Sequence, residues 1–398
     1  MPPLGLLYLA SAVKAKGYSV MLIDCTARRN PLVDIDEITK FILAQKPHIV
    51  GISATTYQIF GAVQLAQKLK ATQEKDLKIV LGGSHVTADT LFRTSFNNYF
   101  DVYFIGEGEI TFPSLVSKLM NEERVNNVCY GSPPDLNTVP LPARELIDPL
   151  DYFEQGREFA NIQTSRGCPY QCIFCGVPKI MGHNLRVRRP ASVVDEMEKI
   201  GQSYDWHYFL IDDCATANRD HMLSICYEIL RRGLDLIWGC QTRPDLVDKD
   251  LLLLMYKAGC RYISFGIESG SPRVRTMIGK PFSNEQIKKA VNFCKEIGIA
   301  TLCSFMIGFP TETENDLIKT YMLAKTLGAD AVNIARTEVL PGTSLFENAV
   351  AERLVDAYVF QKVAEGEVDL PIYYIPPTLG SKILESFQES FKGRPIMF

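Results

Sequence analysis

No window of the 398-residue chain approaches the ~20 unbroken apolar residues that a membrane-spanning helix needs. No basic stripe is present: 42 basic residues face 46 acidic ones, a net charge of −4. That balance argues against nucleic acid or an anionic membrane as partner. The opening MPPLGLLYLASAV lacks the basic region of a secretory signal. Without such a signal, eleven cysteines in so long a chain do not make a disulfide framework, and a reducing cytoplasm is the expected location. There is no low-complexity tract. Apolar residues at 46% and charged residues at 22% are the composition of a soluble globular protein, and the length suggests two or three domains.

What is present is a cluster of three cysteines. Cys168, Cys172 and Cys175 stand at C-x3-C-x2-C spacing in TSRGCPYQCIFC. Zinc knots are usually built from paired C-x2-C halves, and no second half exists here. His183 is a candidate fourth ligand for such a site. The competing reading is a 4Fe–4S cluster with three cysteine-bound irons and one open iron, the vacancy that separates a catalytic metal site from a closed structural one. The eight scattered cysteines read as small buried apolar residues.

Alternating strand and helix patterns run along the chain. In the first third, SVMLID, HIVGIS, KIVLGG and VYFIGEGE read as strands, with Ala62, Leu65, Ala66 and Leu69 at helical spacing between them. The opening residues read as a helix with Leu6, Leu9, Ala10 and Val13 on one face and Gly17 as its stop. Residues 131–158, rich in proline and polar residues, read as a linker. From Phe159, six further strand patterns (FANIQTS, HYFLIDD, LIWGCQT, YISFGIES, TLCSFMIG and AVNIAR) each precede a helical one. The expected fold is α/β: a doubly wound, flavodoxin-like domain over residues 1–130 and an open six-unit (β/α)6 partial barrel over 159–350. A C-terminal extension over 351–398 follows, with a short helix in SKILESFQESFK.

With its C-x3-C-x2-C loop after the first barrel strand, the sequence resembles the radical S-adenosylmethionine (SAM) superfamily. The resemblance implies that the open iron takes the amino and carboxylate groups of SAM. Reductive cleavage then gives a 5′-deoxyadenosyl radical that abstracts hydrogen from unactivated carbon, with an electron donor such as flavodoxin or ferredoxin. It also implies roles at successive strand ends: Phe174 near the adenine, Asp212 or Asp213 on the amino group, and Arg243 on the carboxylate or those aspartates. Glu268 would lie near the ribose or methionine part, and Gly308 would allow close approach of the adenine.

The first third resembles the cobalamin-binding domain of the B12-dependent branch, so the likeness covers residues 1 to 350. The residues at the strand ends that would meet the cofactor are Ser53, Thr55, Thr56, Gly82, Gly83, Gly106, Glu107 and Gly108. The D-x-H-x-x-G motif that ligates cobalt in many B12 proteins is missing, and His85 is not in its place. The chain opens on what reads as the domain's first helix. The expectation is therefore a domain truncated before its first strand, leaving the next strands in sheet order without a neighbour. Within this branch the implied activity is methylation of an unactivated carbon of a small molecule. Radical cyclisation or oxidative rearrangement is the alternative. A methylthiotransferase would carry three N-terminal cysteines, where only Cys25 and Cys129 occur. A degenerate cofactor-binding protein is the non-enzymatic alternative. Tyr170, Cys214, Cys240, Cys303, Asn333 and Arg336 are candidates to face the substrate, Cys214 and Cys303 also as radical relays.

Overall fold

The structure is a computed structural model. It describes residues 1–25, 27, 34–72, 76–96, 98–154, 157–201 and 206–389. The N-terminal domain carries a parallel sheet of β1 (Ile49–Ser53), β2 (Lys78–Gly82), β3 (Val102–Ile105) and β4 (Val128–Tyr130), in that order. The sequence pattern missed β4, whose three residues VCY are too short to show alternation. The helix Ile59–Ala71 buries Ala62, Leu65, Ala66 and Leu69, the face its 3.6-residue period predicts. The helix Leu4–Lys14 forms as expected, but on a rotated face. Leu7, Tyr8 and Val13 are buried, while Leu6 and Leu9 are only half-buried.

Ser19–Asp24 is not a strand. It pairs with no strand among the described residues, and β1 lies at the sheet edge.

The second sheet is the barrel. β5 (Phe153–Glu154) is antiparallel to β6 (Arg157–Ile162). A small antiparallel pair, β7 (Ser165–Arg166) and β8 (Arg186–Val187), follows. β9 (Trp206–Leu210), β10 (Ile237–Thr242), β11 (Cys260–Glu268), β12 (Ala300–Ile307) and β13 (Ala331–Arg336) then add in parallel to β6 in chain order. These are the six strand patterns of the sequence. β13 and β6 end the parallel run on opposite sides, so the barrel is open. Helix ends are fixed locally. Ser283 and Gln286 form a capping box at the start of Asn284–Ile297, and Gly298 in the left-handed region stops it.

Alternate strand residues, among them Trp238, Cys240, Phe265, Cys303 and Phe305, pack against the surrounding helices in one core. The residues between them line the concave face. Gln241, in a central strand, and Asn333 are exposed there, while Ser264 and Ser304 are half-buried. Cys240 and Cys303 therefore face the helices, not a substrate. Residues 131–152 are packed rather than free, with Leu136, Ala143 and Tyr152 buried. The C-terminal segment returns to the N-terminal domain: Val359, Phe360, Val363 and Ala364 join its core. The helix Ser381–Glu389 forms where expected, and residues 390–398 lie outside the described ones.

Candidate functional site at the barrel mouth

The three cysteines sit on the loop that leaves through β7 and returns through β8. Gly167 (φ +87°) opens it, and a Cβ there would stand 2.5 Å from the Asn184 carbonyl. The loop rests on the turn after residue 277. The Ile173 amide donates to the Ile278 carbonyl at 3.3 Å, and a Cβ on Gly279 would stand 3.3 Å from Cys172 Cα. All three thiols are free and half-buried. Burial pushes each upward, Cys175 to about 11. The charges that act on them name their neighbours: Asp213, Arg243 and Lys280 on Cys168, and Lys280, Arg243 and Glu268 on Cys172. Among the described residues, no three His, Cys, Asp or Glu side chains converge on one metal ion. In a cubane each thiolate ligates a different iron, so the three need not converge. His183 is exposed on the same loop.

The structure separates the two aspartates. Asp212 is buried and accepts from the Thr164 amide at 2.7 Å, the Ser165 amide at 2.9 Å and the Thr164 hydroxyl, so it fastens the strand end that leads into the loop. Asp213 is half-buried and turned to the cysteines. Burial, then the neighbouring Asp212, raise it to about 6.

Arg243 pairs with neither. It forks onto Asp245 with two bonds of 2.9 Å, and its guanidinium lies 3.9 Å from the Tyr170 ring centroid. Its Nη1 is buried and has no partner among the described residues.

Glu268 has φ +67° at a bulge in β11 and accepts from Lys280 Nζ at 2.6 Å. Lys280, 8% exposed, also donates to the Gly266 carbonyl at 3.0 Å and stands 5.8 Å from the Phe174 ring. Phe174 tilts against Phe309 at 5.7 Å. Lys280, Asp245 and Glu312 were missed by sequence reading. Asp245, two residues beyond Arg243, was legible as a local pair; a buried lysine leaves no pattern.

Gly308 (φ +91°) is close to the chain's own C-terminal segment. A Cβ there would meet the Tyr374 carbonyl at 3.1 Å and Leu384 at 3.2 Å. Its amide donates to Glu312 at 2.6 Å. Arg336 stacks on Tyr373 at 3.9 Å. Cys214 is buried beside Thr242.

At the N-terminal sheet, Ser53, Thr55 and Gly106 are exposed at the carboxyl ends of strands. The others are taken up internally. Thr56 Oγ1 meets His85 Nδ1 at 3.2 Å. The Gly82 carbonyl accepts from the Ala54 amide, and Gly83 (φ +101°) has no room for a Cβ beside Ala54. Gly108 packs under Leu9. Glu107 is ion-paired to Arg166 and Arg186 of the barrel. His85 is fully buried between Phe92 and Phe360, with its pKa lowered to about 3 by burial, and is no candidate cobalt ligand.

Residues 162–324 match the Radical SAM superfamily, and residues 1–116 match the B12 binding domain. A protein of Pyrococcus horikoshii, the uncharacterized methyltransferase PH0819, is 31% identical over 99% of this chain and 88% of its own length. The chain belongs to the radical SAM superfamily, in its B12-binding branch. An anaerobic magnesium-protoporphyrin IX monomethyl ester cyclase of Rubrivivax gelatinosus is also 31% identical, over 91% of this radical SAM chain and 68% of its own. In fold, the chain is similar to the radical SAM methyltransferase TsrM of Kitasatospora setae, with a TM-score of 0.77 at 18% identity over 98% of this chain and 88% of that one.

The cofactors of this radical SAM enzyme are a 4Fe–4S cluster, SAM and cobalamin. The residues present fit them. Three thiols on one glycine-opened loop suit a cluster with an open iron. The unpartnered Arg243 Nη1, in the field of Cys172, suits a carboxylate beside it, and the carboxyl of Asp213 suits an ammonium. The exposed edge of Ser53, Thr55 and Gly106, two of them hydroxyl-bearing, lies at the carboxyl ends of the strands, where doubly wound sheets take their ligands. No helix among the described residues is long and apolar enough to cross a membrane.

Proposed function

We propose that the chain is a cobalamin-dependent radical SAM methyltransferase acting on an unactivated carbon of a small molecule held on the concave face of the barrel. The observation that carries this reading is the meeting of the cysteine loop, Asp213, Arg243 and Lys280 at one barrel mouth, in a chain that also carries the B12-binding sheet. When bound, the cluster, SAM and cobalamin supply a carbon-centred radical and a transferable methyl group. The chain's own groups bind and orient. Cys168, Cys172 and Cys175 hold the cluster. Arg243, held by Asp245 and Tyr170, would offer its unpartnered Nη1 to the SAM carboxylate, and Asp213 would take the ammonium. Lys280 neutralises Glu268 and leaves the glutamate's second oxygen for the ribose.

Below that level the concave wall offers Gln241, Ser264, Ser304 and Asn333, with Phe209 stacked on Tyr262 at 6.0 Å as a floor. Uncharged donors and acceptors over an aromatic floor suit a neutral, hydrogen-bonding substrate. The free thiols suit a reducing cytoplasm, and a flavodoxin or ferredoxin suits the electron donor.

The test is anaerobic reconstitution with SAM, reductant and hydroxocobalamin, scored for 5′-deoxyadenosine. Methyl-deuterated SAM then distinguishes the outcomes on a product. A labelled methyl establishes methyl transfer; an unlabelled ring-closed or oxidised product establishes cyclisation, the second reading, which the likeness to the cyclase of Rubrivivax gelatinosus keeps as an alternative. Absence of 5′-deoxyadenosine from cluster-loaded protein would overturn both.

A further inference from the structure

The cysteine loop is closed at its base by a pair that should repel. Arg166 and Arg186 stand directly opposite each other where β7 meets β8. Like charges so placed are destabilising. The Arg166 side chain is 5% exposed, so water screens it little. The compensating charge comes from the other domain. Glu107 Oε2 accepts from Arg166 Nη1 at 2.7 Å and from Arg186 Nη1 at 3.2 Å, while its Oε1 accepts from Arg186 Nη2. Glu109 meets Arg166 Nη2 at 2.6 Å. Two arginines and two glutamates thus form a neutral, largely buried set across the domain junction.

The turn that presents Glu107 is tightly held. Gly106 has φ +86°, a Cβ on Gly108 would stand 2.7 Å from Leu9, and a Cβ on Gly131 would overlap the Glu107 carbonyl. Arg186 also donates to the Pro134 carbonyl at 3.2 Å and, at 3.4 Å, to the Met181 carbonyl inside the loop. Arg166 lies 5.3 Å from the Tyr8 ring and donates through Nε to Gln163 at 2.7 Å. Both carboxylate oxygens of Glu107 accept from arginines of the barrel.

We propose that Glu107 is a positioning residue for the iron–sulfur cluster: from the B12-binding domain, it clamps the two arginines that close the cysteine loop. The proposal rests on the reading that Cys168, Cys172 and Cys175 carry the cluster. It differs from a cobalamin-contact role for Glu107, and the two make opposite predictions.

The test compares full-length E107Q, R186Q and the double variant with the native chain after anaerobic iron–sulfide reconstitution. Three quantities are read: iron release to a chelator, the SAM-induced change in the EPR spectrum of the reduced cluster, and hydroxocobalamin affinity by absorbance titration. The clamp predicts that E107Q releases iron about tenfold faster or more, as loss of an outer-shell partner does elsewhere. It also predicts an altered EPR response to SAM and an unchanged cobalamin affinity. R186Q lies outside the B12-binding domain and should show the same pattern. The double variant should be no worse than E107Q alone, because the two act as one unit. Unchanged iron release in both single variants overturns the proposal. So does weakened cobalamin binding by E107Q with a cluster that behaves as in the native chain. If E107Q fails to fold, R186Q carries the test, since it leaves the Glu107–Arg166 bridge in place. A native chain that takes up no cluster would overturn the reading of the cysteines, and the proposal with it.

Discussion

Glu312 carries a clear pH signature at the residue scale. It is fully buried at the end of β12, accepts from the amides of Gly308 and Phe309, and keeps Oε1 without a partner among the described residues. Burial raises its pKa to about 7, from an ordinary 4.5. A raised carboxyl binds its proton more tightly in the native chain than in the unfolded one. Its contribution is therefore most favourable below about pH 4.5 and declines as pH climbs to 7, by about 3 kcal/mol in all. E312Q, which keeps one oxygen for the two amides, should lose that decline. The difference in melting temperature between E312Q and native apoprotein should widen in favour of E312Q from pH 5 to pH 8; parallel curves would show that Glu312 does not titrate in this range.

Cys172 makes a sharper residue-scale prediction. Cys172→Ala should abolish 5′-deoxyadenosine formation while the circular dichroism spectrum stays native, because Cys172 is a half-buried loop residue outside the hydrophobic core. At this scale sequence reading reached the residues whose chemistry is fixed by spacing, the three cysteines. It could not tell Asp212 from Asp213, because which of two adjacent carboxyls turns inward depends on where the Thr164 and Ser165 amides point.

At the scale of elements, the barrel strands were legible because each is a short β-branched run ahead of a helical period, and periodicity is local. Ser19–Asp24 has the same composition and is no strand, because a strand needs a neighbour that its own residues cannot supply. Glu107 shows the same limit. Its place at the end of β3 was right, but the direction of its side chain is set by two arginines far along the chain. Gly83 shows the same dependence in a testable form. Its φ of +101° and the Ala54 carbonyl 2.5 Å from any Cβ make glycine obligatory at the β2 end. Gly83→Ala should destabilise the N-terminal domain by at least about 2 kcal/mol. The matching observable is a lowered urea midpoint for that domain, with weaker hydroxocobalamin binding. A Gly106→Ala control, where the nearest atom to a Cβ is 4.0 Å away, should cost less despite its φ of +86°.

At the scale of the whole molecule, the chain closes on itself. After β13 it forms the helix Val359–Glu365, and Phe360 enters the N-terminal core, fully buried against His85 and Phe346. Tyr374 and Leu384 then close over Gly308 at the end of β12. With Glu107 crossing in the other direction, and with Tyr57 on Glu338 and Arg188 on Tyr8 beside it, the two domains are joined at several places among the described residues, and hinge motion between them would have to break both a buried aromatic contact and a buried ion pair. Phe360→Ala tests the first joint. Removing a fully buried phenylalanine costs about 3–5 kcal/mol. That loss should fall on the N-terminal domain, although residue 360 lies far beyond the barrel strands in sequence. Limited proteolysis should then cut first within residues 34–130, and cobalamin affinity should drop, while iron–sulfide reconstitution of the barrel proceeds as in the native chain. Equal susceptibility of both domains would mean that they unfold as a single unit; cleavage confined to residues 351–389 would mean that the C-terminal segment is a dispensable cover.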